Sequence, residues 1–78
     1  MTKLVFMGRL EDVAGTGEMS VAPGPVEQIL AALDPALAVE LLADKVRMAI
    51  NGKLLTDMGG IVLGEGDELA FLPPVSGG

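Results

Sequence analysis

A chain of 78 residues, half of them hydrophobic, has room for one packed core and no second domain. It contains no Cys and no His, which removes disulfide stapling, thiolate and imidazole metal ligation, Cys nucleophiles and His-based triads together. Eleven acidic against five basic residues leave a formal charge of −6, the wrong sign for a phosphate backbone or an anionic membrane, and two aromatics, Phe6 and Phe71, are too few to stack bases.

The acids run from Glu11 to Glu68, densest at Glu65, Asp67 and Glu68. They read as a solvated surface, or more sharply as one that meets a basic partner. The apolar stretch from Met1 to Met7 is interrupted by Gly8 and Arg9, too early for a secretory or spanning segment, so a soluble, cytoplasmic protein is expected.

Leu4 to Met7 reads as a strand covered at least partly on both faces, and central in its sheet. Leu10 to Ala14 suits a brief helical turn closed by Gly15, and Glu18 to Ala22 a second strand pairing with the first. Gly24-Pro25 then opens the clearest helix, with Pro25 at the first helical position and Glu27 in the first turn. Val26, Ile29, Leu30 and Leu33 follow the i, i+3, i+4, i+7 spacing of one buried stripe. Asp34-Pro35 stops that helix and starts a short turn through Leu37, Leu41 and Leu42.

From Lys45 the period changes to two: Val46, Met48 and Ile50 alternate with Lys45, Arg47 and Ala49. Asn51-Gly52 supplies two residues tolerant of positive φ, which predicts a type I′ hairpin into Lys53-Leu54-Leu55. Gly59-Gly60 and Gly64-Glu65-Gly66-Asp67 mark further turns, and a last strand, Glu68 to Leu72, ends at Pro73-Pro74.

The expected fold class is therefore α+β, a β-grasp (ubiquitin-like) arrangement: a mixed sheet with parallel central first and last strands and one main helix across it. The competing topology, a split βαβ of ferredoxin type, needs a second full helix, for which Asp34 to Ala43 is short. Residues 1–72 form the β-grasp domain in this reading and residues 73–78 an extended tail. If Leu4, Phe6, Leu69 and Phe71 face the helix, period-two alternation leaves Val5, Met7, Ala49, Ala70 and Leu72 on the outer face with Arg47 among them. That is either an apolar partner surface or the ordinary scatter of apolar residues.

Enzyme chemistry is poorly provided for. The hydroxyls of Ser20 and Ser76 have no His to activate them, no glycine-rich loop has Walker spacing, and Gly64-Glu65-Gly66-Asp67-Glu68 lacks the spacing of a calcium loop. Carboxylate pairs such as Glu11-Asp12 and Asp67-Glu68 lie in predicted loops and read as surface. The C-terminus Pro73-Pro74-Val75-Ser76-Gly77-Gly78 is more distinctive. Random usage gives two terminal glycines about 0.5% of the time. Pro73-Pro74 is stiff and extended, whereas Gly77 and Gly78 offer backbone without side chains, able to enter a channel too narrow for a Cβ. At about 3.1–3.3 Å per residue the tail reaches roughly 20 Å, enough to carry a carboxylate into a neighbouring protein. The plainer alternative is a frayed terminus of small residues.

The run Gly66-Asp67-Glu68-Leu69-Ala70-Phe71-Leu72-Pro73-Pro74-Val75-Ser76-Gly77-Gly78 closely resembles the C-terminal signature of molybdopterin synthase small subunits, a family of ubiquitin-like sulfur carriers. Arg9-Leu10-Glu11-Asp12-Val13-Ala14-Gly15 and Ile50-Asn51-Gly52 are similar to the same family, with Leu72 standing where Phe is common. The resemblance implies that the Gly78 carboxylate is adenylated by an ATP-dependent activating enzyme and converted to a thiocarboxylate. The tail would then enter the large subunit, which supplies the active-site chemistry, and pass its sulfur to cyclic pyranopterin monophosphate. It further implies that Gly77 gives access through the channel, that Pro73, Pro74, Val75 and Ser76 make the tail contacts, and that Leu72 and Met7 join Ala70 and Arg47 on the docking surface. No bound cofactor, metal or nucleic acid is expected, ATP being used by the activating enzyme, and the family analogy suggests a heterotetramer. A carrier for thiamine synthesis or tRNA thiolation, or a ubiquitin-like protein modifier, would share the diglycine.

Overall fold

The computed structural model describes residues 1–43, 45–55 and 59–74. In chain order these form β1 (Thr2–Phe6), α1 (Arg9–Ala14), β2 (Glu18–Val21), β3 (Gly24–Pro25), α2 (Val26–Ala31), α3 (Pro35–Leu41), β4 (Arg47–Ile50), β5 (Lys53–Leu54), β6 (Val62–Leu63) and β7 (Glu68–Leu72). Five strands make one mixed sheet in the order β2-β1-β7-β4-β5. β1 runs parallel to β7, with Leu4 opposite Leu69 and Phe6 opposite Phe71, and antiparallel to β2. β4 pairs antiparallel with β7 on one side and β5 on the other. This is the β-grasp topology, with the first and last strands side by side at the centre.

The alternation of the strands sorts their side chains onto two faces. Leu4 and Phe6 of β1, Met48 of β4 and Leu69 and Phe71 of β7 are buried in one cluster with Leu10 of α1, Val26, Ile29 and Leu30 of α2, Leu37 and Leu41 of α3, and Leu63 of β6. The Phe6 and Phe71 rings stack with centroids 5.7 Å apart and planes 11° from parallel. Each of these aliphatic and aromatic side chains contributes about 1.5–3 kcal/mol through burial. α1 is tied to α3 by a long ion pair, Arg9 Nη1 to Glu40 Oε2 at 3.8 Å, which is exposed and adds little.

Several turns follow their residues closely. Asn51 (φ 51°) and Gly52 (φ 84°) take the two positive φ values of a type I′ hairpin, and Gly15 (φ 79°) closes α1 with its N–H donating to the Glu11 carbonyl. Asp34 sits at the N-cap of α3 with Pro35 in the first turn, although its side chain makes no capping hydrogen bond.

Elsewhere the structure corrects the sequence reading. Pro25 is not the first helical residue but an extended N-cap (ψ 138°), because Gly24–Pro25 pairs as a strand with Val62–Leu63 and Val26 N–H donates to the Ile61 carbonyl. That pairing joins segments far apart in the chain, so no local pattern announces it. Leu33 lies beyond α2, which ends at Ala31, and is only half-buried; Asp34, held extended by the following proline, stops the helix short. The stretch after Asp34 is a further helix, α3, of seven residues rather than a short turn. β2 stops at Val21 and β5 at Leu54, one residue earlier than expected in each case, though Leu55 N–H still reaches the Met48 carbonyl at 2.8 Å.

At the sheet end where β1 begins, Asp67 is a hydrogen-bond hub. Its Oδ2 accepts from the Gly64 N–H at 2.7 Å and its Oδ1 from Asn51 Nδ2 at 3.1 Å, while Asn51 Oδ1 accepts from the Glu68 N–H at 3.0 Å. The bond from the Gly64 N–H, then that from Asn51, holds the Asp67 carboxyl below the usual carboxylate range. Buried Thr2 completes the corner by donating from Oγ1 to the Gly64 carbonyl at 2.7 Å.

Phe71→Ala should cost about 3–5 kcal/mol in chemical denaturation, whereas Leu54→Ala, at an exposed position, should change stability by less than about 0.5 kcal/mol. Because the folded Asp67 carboxyl titrates below its unfolded value, its contribution is complete above the unfolded value and disappears as pH falls through the folded one. Asp67→Asn should therefore flatten the stability–pH curve on its acid limb and leave its slope near neutrality unchanged, as measured by urea midpoints across pH.

Candidate functional site

The helices cover one face of the sheet and leave the other open. Register places Glu18, Val5, Ala70, Ala49 and Leu54 in one row across that open face, with Leu72 and Arg47 paired in the next row toward the C-terminal end of β7. Val5, Ala49, Ala70 and Leu72 are half-buried, Arg47 is exposed, and Met7 and Leu54 are exposed by 46% and 59%. In the row toward the start of β1, Lys3 Nζ lies 3.7 Å from Glu18 Oε2, and Lys3 faces Glu68 across the parallel pair. The open face is thus an apolar lane, with mixed charge at one end and Arg47 at the other.

Met7, Ala70, Leu72 and Arg47 are brought together on this surface as their positions in the strands predict. Leu54 belongs with them. The sequence reading missed it, although a two-residue hairpin loop fixes Ala49 opposite Leu54 and hence on the same face.

The tail leaves at the same end. β7 ends at Leu72, and the Met7 N–H donates to the Phe71 carbonyl at 3.1 Å, extending the parallel ladder by one step. Pro73 and Pro74, both half-buried, have no N–H to continue it. Gly8 forms the seat of Pro73: it has φ 55°, and a Cβ there would lie 2.8 Å from Pro73 Cγ. Only a residue without a side chain fits both the backbone angle and the proline ring. Gly8 was legible in the sequence only as a strand terminator, since its contact is made by a residue sixty-five positions away. Val75, Ser76, Gly77 and Gly78 lie outside the described residues.

Among the described residues no group of three carboxylates could hold a metal ion, and no helix is long and apolar enough to cross a membrane. A cleft of about 320 Å³ between α2 and α3 is lined mostly by apolar groups, including Val26, Leu30, Ala38 and Leu42, and gathers no acid–base pair. The chemically distinctive features are the open apolar lane and the seated root of the tail.

Residues 4–78 match the ThiS family. The chain is 32% identical over 83 aligned positions to the molybdopterin synthase sulfur carrier subunit of Escherichia coli (strain K12), with 100% of both chains covered. Among solved structures, SAMP1 from Haloferax volcanii is similar at a TM-score of 0.73 and 30% identity, covering 99% of this chain and 98% of that one. The protein–protein complex of subunits 1 and 2 of molybdopterin-converting factor from Helicobacter pylori 26695 contains a chain similar at a TM-score of 0.65, covering 99% of this chain and 97% of that one; at 21% identity that likeness concerns the fold. The chain belongs to the ThiS family and is a ubiquitin-like sulfur carrier with a β-grasp fold.

Gly8→Val should destabilise the protein by about 1–3 kcal/mol, because a β-branched residue is strained at positive φ and its side chain meets Pro73. In a Pro73→Ala background part of that loss should be recovered, since the steric component is removed while the backbone strain stays. A double-mutant cycle in urea measures the coupling.

Proposed function

We propose that this carrier serves molybdopterin synthesis. Its terminal Gly78 carboxylate attacks the α-phosphorus of ATP on an activating enzyme, releasing pyrophosphate and forming an acyl adenylate. Hydrosulfide then displaces AMP at the acyl carbon and leaves a thiocarboxylate; a persulfide donor would first give an acyl disulfide, which a second thiol reduces to the thiocarboxylate while forming a disulfide with the donor. A free carboxylate resists nucleophiles because its oxyanion is a poor leaving group, and AMP supplies a good one. The carrier itself needs no Cys or His for this, because the sulfur is installed on its own backbone carbon.

The observation that carries this reading is the end-to-end 32% identity with the E. coli molybdopterin synthase sulfur carrier subunit. It is supported by the terminal Phe71-Leu72-Pro73-Pro74-Val75-Ser76-Gly77-Gly78 run. Residues 1–72 act as the carrier body and 73–78 as the arm. The open lane through Met7, Ala70 and Leu72 docks on a large subunit, as the H. pylori factor's subunits form a complex. Pro73 to Ser76 line the way in, and Gly77 and Gly78 pass where a Cβ would not fit. The large subunit then transfers the sulfur to cyclic pyranopterin monophosphate, in a cytoplasmic heterotetramer of two small subunits on a large-subunit dimer.

A second reading has its own support. SAMP1 of H. volcanii, 30% identical, is a small archaeal modifier protein, and a modifier would join Gly78 to a lysine of another protein through an isopeptide bond.

Incubation with an activating enzyme, ATP and a sulfur donor should give an oxygen-to-sulfur mass change on the intact chain. Added to the large subunit, that product should form molybdopterin, and a Gly78 deletion should abolish both. A thiocarboxylated chain that makes no molybdopterin with the large subunit would overturn the pathway assignment, and a ladder of isopeptide conjugates would favour the modifier.

A further inference from the structure

Arg47 is a cation within the strands of the open face that has no internal partner, and Lys45, two residues before it, is exposed and has none either. Lys3, on the same face, lies 3.7 Å from Glu18, and Arg9, near the root of the tail, 3.8 Å from Glu40, each a long exposed pair. The Arg47 guanidinium makes no ion pair or side-chain hydrogen bond with the described residues. Register sets Arg47 directly opposite Leu72, the last residue of β7, so the charge stands beside the point where the tail departs. The chain as a whole carries −6, and this end of its apolar lane is locally positive.

We propose that Arg47 selects the partner that docks on this face, by pairing with a carboxylate that the partner carries inside an apolar patch next to the opening for the tail. This rests on the reading above that the open face is the docking surface. A guanidinium is weakly hydrated, forms bidentate bonds to carboxylates and is enriched at the cores of interfaces where lysine is depleted. Docking of the lane from Val5 to Leu54 removes water from the adjoining Leu72–Arg47 row. A partner that is apolar there but lacks the acceptor would strand the charge, and one with a basic group would repel it. The apolar lane supplies contact area to any apolar partner, whereas Arg47 discriminates among partners because its unpaired state is penalised only once water leaves.

The test measures binding of the full chain to the molybdopterin synthase large subunit of the same organism, by calorimetry at two salt concentrations. Arg47→Met should weaken binding about tenfold at low salt and flatten its salt dependence. Arg47→Lys should recover part of the loss, and Arg47→Glu should weaken binding about a hundredfold or more. Lys53→Met, at the exposed edge of β5, should bind as the unaltered chain does, and thermal melts should be unchanged for every Arg47 variant because the residue is exposed. Leu72→Asp tests the face itself and should abolish binding.

Arg47→Met binding with unchanged affinity and salt response, while Leu72→Asp abolishes binding, would overturn the role of Arg47 and leave the docking face standing. Weakened binding with unchanged salt dependence would overturn the carboxylate pairing in favour of stacking or apolar contact. Unaltered binding by Leu72→Asp, or no binding by the unaltered chain, would overturn the docking reading itself, and the selection by Arg47 with it.

Discussion

The parallel pairing of β1 with β7 is the constraint on which the other features depend. It joins residues at opposite ends of the chain, and closing the loop between Phe6 and Phe71 costs roughly 4 kcal/mol in chain entropy before any contact is made. A single contact does not offset that. The burial of Leu4, Phe6, Leu69 and Phe71, each worth about 1.5–3 kcal/mol, together with the stacked rings, does. Once the pair is formed, β2 and β4 have central strands to join on either side, and the helices have an apolar floor to cover.

The same pairing determines where the tail starts. Because β7 runs alongside β1 to its end, Leu72 lies beside Met7 and Pro73 comes down on Gly8. The arm is therefore attached at a fixed place and flanked by the open apolar lane. The proposed function would use this combination, a folded body that is recognised and a tail whose root at Pro73 has a fixed place on it. On the proposed function the absence of Cys and His follows the same logic, since the reactive carbon would be that of Gly78 and the acid, base and phosphate-binding groups would belong to its partners.

Much of this was legible in the residues. β7 is bounded by Asp67 and Pro73, so its limits were readable, and Asn51-Gly52 announced its hairpin because few residues tolerate two consecutive positive φ values. Strand parity separated Leu4, Phe6, Leu69 and Phe71 from Val5, Ala70 and Leu72, since a period of two leaves no alternative once one face is buried. Four of the differences share a cause. The β3–β6 pair, the late start of α2 at Val26, the seat of Pro73 on Gly8 and the link from Asn51 to Asp67 are each made by a residue at least ten positions away.

By itself, the amino-acid sequence determined the fold class, the faces of the strands and the terminal diglycine, because periodicity, turn residues and composition act locally along the chain. Only the tertiary structure decided that Gly8 seats the root of the tail, and that Arg47 stands unpaired beside it while Lys3 and Arg9 each lie near a carboxylate. Those are facts of proximity between segments, and proximity is set by packing one core rather than by the residues on either side.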